Sequence, residues 1–157
     1  MRAIIVDDER LARNELNRLL DRFPEIDVVG EASNGETAIK KIEELTPDLV
    51  FLDIQMPGMT GFEVLEHLSV VPNIIFITAY DEYALKAFEV NALDYVLKPV
   101  ELSRLEKAIK KVLLNSETST SQEKLSLDSQ IFIKDGEKCW FVKLEKVRMF
   151  ESEGNYV

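Results

Sequence analysis

Asp7, Asp8, Asp53, Thr78 and Lys98 each stand at the end of a short apolar run. AIIV (3–6) leads into the acidic pair, LVFL (49–52) into Asp53, NIIFI (73–77) into Thr78, and YVL (95–97) into Lys98-Pro99. If these runs are parallel strands, their carboxyl ends meet at one edge of a sheet. Three carboxylates, a hydroxyl and an ammonium then share one site. Carboxylates held together repel unless a divalent cation neutralises them, so the grouping implies a hard, oxygen-liganded ion such as Mg²⁺. A lysine and a hydroxyl beside that ion suit a phosphoryl group.

The intervening sequence supplies a framework to position those groups. Residues 9–22 (ERLARNELNRLLDR) set Leu11, Ala12, Glu15, Leu16, Leu19 and Leu20 mostly at helical spacing. IDVVGEA (26–32) is strand-like and runs into Asn34-Gly35, a turn signal. ETAIKKIEEL (36–45) gathers Ala38, Ile39, Ile42 and Leu45 on one helical face and is stopped by Pro47. After LVFL and a loop carrying Pro57, Gly58 and Gly61, the pattern predicts a short helix over 62–70, ahead of Pro72. It then predicts a helix over 81–92, a strand over 93–97 and a last helix over 101–114.

Strands that are nearly continuous apolar runs suit a parallel sheet covered on both faces. Right-handed crossovers favour a doubly wound sandwich, so the expected fold is α/β: a flavodoxin-like, five-stranded parallel sheet of order 2-1-3-4-5. Ligands of such sheets bind outside the strand carboxyl ends, beside the first and third strands, where Asp7, Asp8 and Asp53 fall.

The 157 residues allow one domain of ordinary size plus a fragment of another, and an apolar content of 46% suits a globular core. The one cysteine, Cys139, excludes an internal disulfide framework and fits a reducing cytoplasm. No apolar stretch approaches the roughly 18 residues of a membrane span, and MRAIIVDDER turns acidic too early for a secretory signal. A cytoplasmic protein with no membrane partner is expected.

The net charge of −10 is unevenly spread: residues 1–128 hold 14 Lys/Arg against 24 Asp/Glu, and residues 129–157 hold 5 against 5. The acidic surface, a poor match for nucleic acid, belongs to the first part alone. Residues 1–114 therefore read as one domain and the Ser/Thr-rich stretch 115–129 as a linker. Residues 130–157 alternate around Asp135-Gly136, which predicts a β-hairpin leading into a third strand. So short a segment buries no core of its own, so it is expected to be the N-terminal fragment of a mostly β domain.

Each chemical residue also has a plainer reading. The Asp7-Asp8 pair suits a helix N-cap, Asp53 a turn before Pro-Gly, Thr78 an ordinary strand, and Lys98 a solvated strand exit. Their placement at the same end of four successive strands favours the chemical reading. His67 lies on an amphipathic helix as a surface residue, and with Cys139 elsewhere no His/Cys metal cluster is available.

VDDE (6–9), LDIQMPGMTG (52–61), FITA (76–79) and DYVLKP (94–99) together resemble the receiver domain of bacterial two-component response regulators, over residues 1 to about 114. The resemblance implies that Asp53 accepts a phosphoryl group from a sensor histidine kinase. Asp7, Asp8, Asp53 and the backbone carbonyl of Gln55 would gather around Mg²⁺. Lys98 would pair with the acyl-phosphate oxygens, Thr78 would hydrogen-bond one of them, and Ala79 would keep the approach to Asp53 open. Tyr95 matches the family's switch aromatic, which changes rotamer when Thr78 is drawn inward. Gln55 and Tyr80 stand where neighbours of the phosphoryl group admit or exclude water, and are expected to influence the phosphoaspartate lifetime.

IFIKDGEKCWFVKLEKVRMFESEGNYV (131–157) is similar to the opening of a LytTR-type DNA-binding domain. By that resemblance DNA is a partner of the complete output domain and not of this fragment, which contains no residue that can be named as a DNA contact. Phosphorylation is expected to favour homodimers through the 81–92 helix, the 93–97 strand and the last helix. Three other readings fit less well. An aspartyl phosphatase usually carries an acid/base carboxylate two residues after its nucleophile, where this chain has Gln55. A single-domain signalling adaptor would need neither the linker nor the β tail. A flavin protein of this fold is opposed by Asp7, Asp8 and Glu9 in the loop that would meet phosphate. The expected role is a switch, not an enzyme.

Overall fold

Apolar runs without a polar face become central strands because both of their faces are covered. In the computed structural model, which describes residues 1–80, 83, 87, 90, 92–118, 130–135 and 138–143, five such runs pair in parallel. They are β1 (Arg2–Val6), β2 (Asp27–Ala32), β3 (Leu49–Leu52), β4 (Asn73–Thr78) and β5 (Asp94–Leu97), and their order is β2-β1-β3-β4-β5. This is the flavodoxin-like order expected. Side chains alternate between two cores. Ile4, Val6, Val50, Leu52, Ile74 and Phe76 pack on one side with α2 (Gly35–Leu45) and α3 (Gly61–His67). Ala3, Ile5, Leu49, Phe51, Ile75 and Ile77 pack on the other with α1 (Arg10–Leu20) and α4 (Leu102–Thr118).

Local chemistry starts and stops the helices. Asn34 caps α2 by accepting from Thr37 N at 2.9 Å, so the Asn-Gly signal marks a helix start. Thr60 and Glu63 form a reciprocal capping box on α3. That helix ends at His67, three residues short of the predicted boundary, because Leu68 turns extended and buries its side chain in the core. The last helix runs four residues past Leu114 to Thr118, across a stretch with neither glycine nor proline to stop it. On α1, Leu16 and Leu20 are buried, but Leu11 in the first turn is 75% exposed, level with the strand ends. Most of the predicted 81–92 helix, residues 119–129 and the predicted third strand of the tail lie outside the described residues.

The chain divides into two units, Met1–Glu117 and Thr118–Val157. In the second, β6 (Gln130–Asp135) and β7 (Lys138–Lys143) pair antiparallel with Asp135 opposite Lys138, the hairpin expected around Asp135-Gly136. Among the described residues no helix is long and apolar enough to cross a membrane.

The edge strand β5 is tied to α4 by charge. Asp94, with its side chain 7% exposed, accepts from Arg104 at 2.9 and 2.5 Å and pairs with Lys111 at 3.2 Å. Burial by itself would push the Asp94 carboxyl up, but the Arg104 guanidinium, the Tyr95 N–H and Lys111 outweigh it and hold it down at about 2. A carboxyl depressed in the folded state stabilises the fold above its unfolded pKa and loses that contribution as pH falls through the folded one. Asp94→Asn is therefore expected to cost about 1–2 kcal/mol at pH 7, discounted because Arg104 and Lys111 reach solvent. Urea unfolding should show the gap from the parent chain closing as pH falls from about 4 towards 2.

Candidate functional site

Sheet register brings the polar strand ends to one level. Asp7 N donates to Ala32 O at 3.1 Å, Asp53 N to Val6 O at 2.8 Å, and Lys98 N to Thr78 O at 2.8 Å. Each residue is thus pinned to the neighbouring strand just past the end of its own. Carboxylate oxygens of Asp7, Asp8 and Asp53 lie within 4.8 Å of one another. Asp7 and Asp53 are buried, and Asp8 is exposed. The Lys98 ammonium sits between the buried pair, 2.7 Å from Asp7 Oδ2 and 2.7 Å from Asp53 Oδ2. With Gln55, Ala79 and Tyr80, these residues line an open cleft of about 830 Å³.

The capping alternative for the acidic pair does not hold. Glu9 is the N-cap of α1 and makes no side-chain cap bond, while Asp7 Oδ1 accepts from Glu9 N at 2.9 Å. Asp53 Oδ1 accepts only a long bond, 3.3 Å, from Gln55 N. Burial raises the Asp7 carboxyl, with Asp53 adding to it, beyond what its bonds to Lys98 and Glu9 N lower. Burial also works against the Lys98 ammonium, but its bonds to Asp53 and Asp7 outweigh that and raise its pKa. Lys98 is therefore firmly charged at neutral pH. Three carboxylates against one ammonium leave an excess of negative charge, and every donor is oxygen, a set that fits a hard divalent cation.

Two predicted residues stand behind the cleft wall. Thr78 is fully buried, and its Oγ1 is the buried side-chain polar atom left without a partner among the described residues. Tyr95 is half-buried and its hydroxyl donates to the Tyr80 carbonyl oxygen. His67 is exposed, as expected, and its Nδ1 lies 2.8 Å from Glu63 O.

Three residues important to this geometry carried no weight in the sequence reading. Arg13 bonds Asp7 O at 2.7 Å, Asp8 O at 3.3 Å and Glu31 Oε2 at 3.1 Å. The available signal was a basic residue in helical register with buried Leu16 and Leu20. Tyr83, within the 81–92 segment, accepts from Gln55 Nε2 at 2.9 Å. Its ring lies 6.1 Å from those of Tyr80 and Phe62. Gly61, read as a loop glycine, opens α3 against the backbone of Asp53.

A family model described as the response regulator receiver domain matches residues 3–110. An uncharacterized response regulatory protein of Vibrio parahaemolyticus is 54% identical over 112 residues, covering 70% of this chain and 46% of that protein. The transcriptional regulatory protein BtsR of Salmonella typhi is 45% identical over 136 residues, covering 85% and 56% respectively. The chain thus spans about half the length of the curated relatives it matches. Among solved structures, the response regulatory domain of protein mrkE from Klebsiella pneumoniae aligns with a TM-score of 0.69 at 36% identity, covering 75% of this chain and 99% of that one.

A Cβ at Gly61 would meet Asp53 O at 2.4 Å and a Leu52 side-chain carbon at 3.1 Å, so the Asp53 backbone has to shift to admit it. Gly61→Ala is expected to lower stability by about 1–3 kcal/mol through overpacking. Chemical unfolding measures the loss, and carboxyl ¹³C spectra should show the Asp53 resonance displaced.

Proposed function

Since this chain belongs to the response-regulator receiver family, we propose that Asp53 is the phosphoacceptor of a two-component system, charged by a sensor histidine kinase. The observation that carries this reading is the Lys98 ammonium bridging Asp7 and Asp53, next to a buried Thr78 hydroxyl that has no partner among the described residues. In the transfer, an Asp53 carboxylate oxygen attacks phosphorus in line as the bond from phosphorus to the kinase's imidazole nitrogen breaks. Positioning and charge do the catalytic work in such a transfer.

Asp7, Asp8, Asp53 and the Gln55 carbonyl would hold Mg²⁺, which supplies neutralisation for the phosphoryl oxygens when bound. Lys98, already on Asp53 Oδ2, is placed to follow the charge onto a phosphoryl oxygen. The Thr78 hydroxyl, without a partner among the described residues, carries a desolvation cost of roughly 1–3 kcal/mol, which a bond to a phosphoryl oxygen removes. That recovery is the force that draws Thr78 inward. Tyr95 reports the movement, because its hydroxyl is held by the carbonyl two residues beyond Thr78. Ala79 leaves the cleft open over Asp53, while Gln55 and Tyr80 flank it and influence how long the acyl phosphate survives water. Gln55 has no carboxylate to serve as acid/base, which supports a switch over a turnover enzyme.

The output we assign is a LytTR-type DNA-binding domain opening within residues 130–157, reached through a linker shortened to 119–129 by the extension of α4 to Thr118, in a cytoplasmic transcription regulator that dimerises when phosphorylated. The tail sequence supports this, as does a relative named as a transcriptional regulatory protein whose alignment runs past the receiver.

Incubation with a small phosphodonor such as acetyl phosphate and Mg²⁺ should give an acid-labile adduct on the parent chain and none on Asp53→Asn. Equal labelling of that variant would falsify Asp53 as acceptor. Beryllofluoride with Mg²⁺ should move the parent chain towards a dimer in size-exclusion chromatography and leave Asp53→Asn where it was.

A further inference from the structure

The Asp8 carboxylate is exposed, and no hydrogen bond or ion pair holds it among the described residues. Its direction is therefore set through its backbone. The loop from Asp7 to Glu9 is fixed at Asp7 N by Ala32 O and at Glu9 N by Asp7 Oδ1. The remaining anchor is Arg13, one turn into α1, whose Nη1 donates to both Asp7 O and Asp8 O. Its Nε is held by Glu31 on β2, and its side chain is only 13% exposed. One planar fork thus grips the carbonyls of both acidic residues and the strand beside them. That geometry belongs to a guanidinium and is beyond a single ammonium.

We propose that Arg13 is a positioning residue for divalent-cation binding: it turns the Asp7 and Asp8 peptides so that their carboxylates converge with that of Asp53, with Glu31 as its counter-charge. The inference rests on the reading of Asp7, Asp8 and Asp53 as a cation site. It carries a sign that distinguishes it from plain electrostatics. A guanidinium beside a dication site repels the dication, so on charge alone Arg13→Ala tightens binding and Arg13→Lys leaves it unchanged. Positioning makes both variants weaker. Loss of a group that orients metal ligands typically lowers affinity by roughly 10–100-fold.

Isothermal titration of Mg²⁺ into the full 157-residue chain, its Asp8→Asn variant and the two Arg13 variants tests this. Far-UV circular dichroism and melting temperature report folding. The expected result is Mg²⁺ binding by the parent chain that is lost or strongly weakened in Asp8→Asn. Arg13→Ala should weaken it by about tenfold or more, and Arg13→Lys by a smaller factor at unchanged charge. Parent-like or tighter binding in a folded Arg13→Lys overturns the Arg13 role alone, and that variant decides if Arg13→Ala fails to fold. A parent chain that takes no Mg²⁺ overturns the cation site and the positioning role with it.

Discussion

One ammonium makes the acidic site possible. Lys98 stands 2.7 Å from an oxygen of each of two buried carboxylates that would otherwise repel one another out of solvent. Sheet order explains how it arrives. Lys98 follows β5, Asp53 follows β3 and Asp7 follows β1, so the side chain has to reach across the end of β4 to meet both. What ends β4 must therefore be small. Thr78 and Ala79 meet that need, and the Thr78 hydroxyl is left buried beneath the span with no partner among the described residues. The same crossing that neutralises the carboxylates thus creates the polar atom most ready to accept a new ligand.

The position of Lys98 depends in turn on a short edge strand. β5 has four residues, with Val96 fully buried and Leu97 half in solvent, too little packing to hold an edge by itself. Asp94, Arg104 and Lys111 supply the rest, and Arg104 Nη2 also bonds Tyr95 O. Last helix, edge strand and ammonium therefore form one mechanical series. On the opposite side Arg13 does comparable work for the acidic loop, and Gly61 lets α3 close against Asp53. The carboxylates are held from three sides by groups that do no chemistry.

Much of this was legible in the residues themselves. The four apolar runs that open the reading became β1, β3, β4 and β5 in the expected order, because a strand covered on both faces must be apolar throughout. Asp7, Asp8, Asp53 and Lys98 meet as their strand-end positions implied. Other features depended on what lay across the fold. Leu11 matches the apolar spacing of α1 yet sits in solvent, since spacing gives a face and not the height at which neighbouring elements stop. α3 ends early because a buried place for Leu68 outweighs three more helical residues. Nothing local to Arg13 marks out the two main-chain carbonyls and the Glu31 carboxylate that surround it.

The sequence by itself determined which segments are strands, which chemical type ends each of them, and hence that an acidic, lysine-bearing edge exists. These follow from periodicity and side-chain type, which are local. Only the tertiary structure decided that Lys98 bridges Asp7 and Asp53, that the Thr78 hydroxyl is buried, that Gln55 reaches Tyr83, and that Arg13 grips the acidic loop. Most of those are distances of about 3 Å between residues far apart in the chain, or a burial set by other elements, and Arg13, only five and six residues from the carbonyls it grips, is aimed at them by Glu31 on β2. Such quantities are fixed when the layers pack and side chains compete for the space between them.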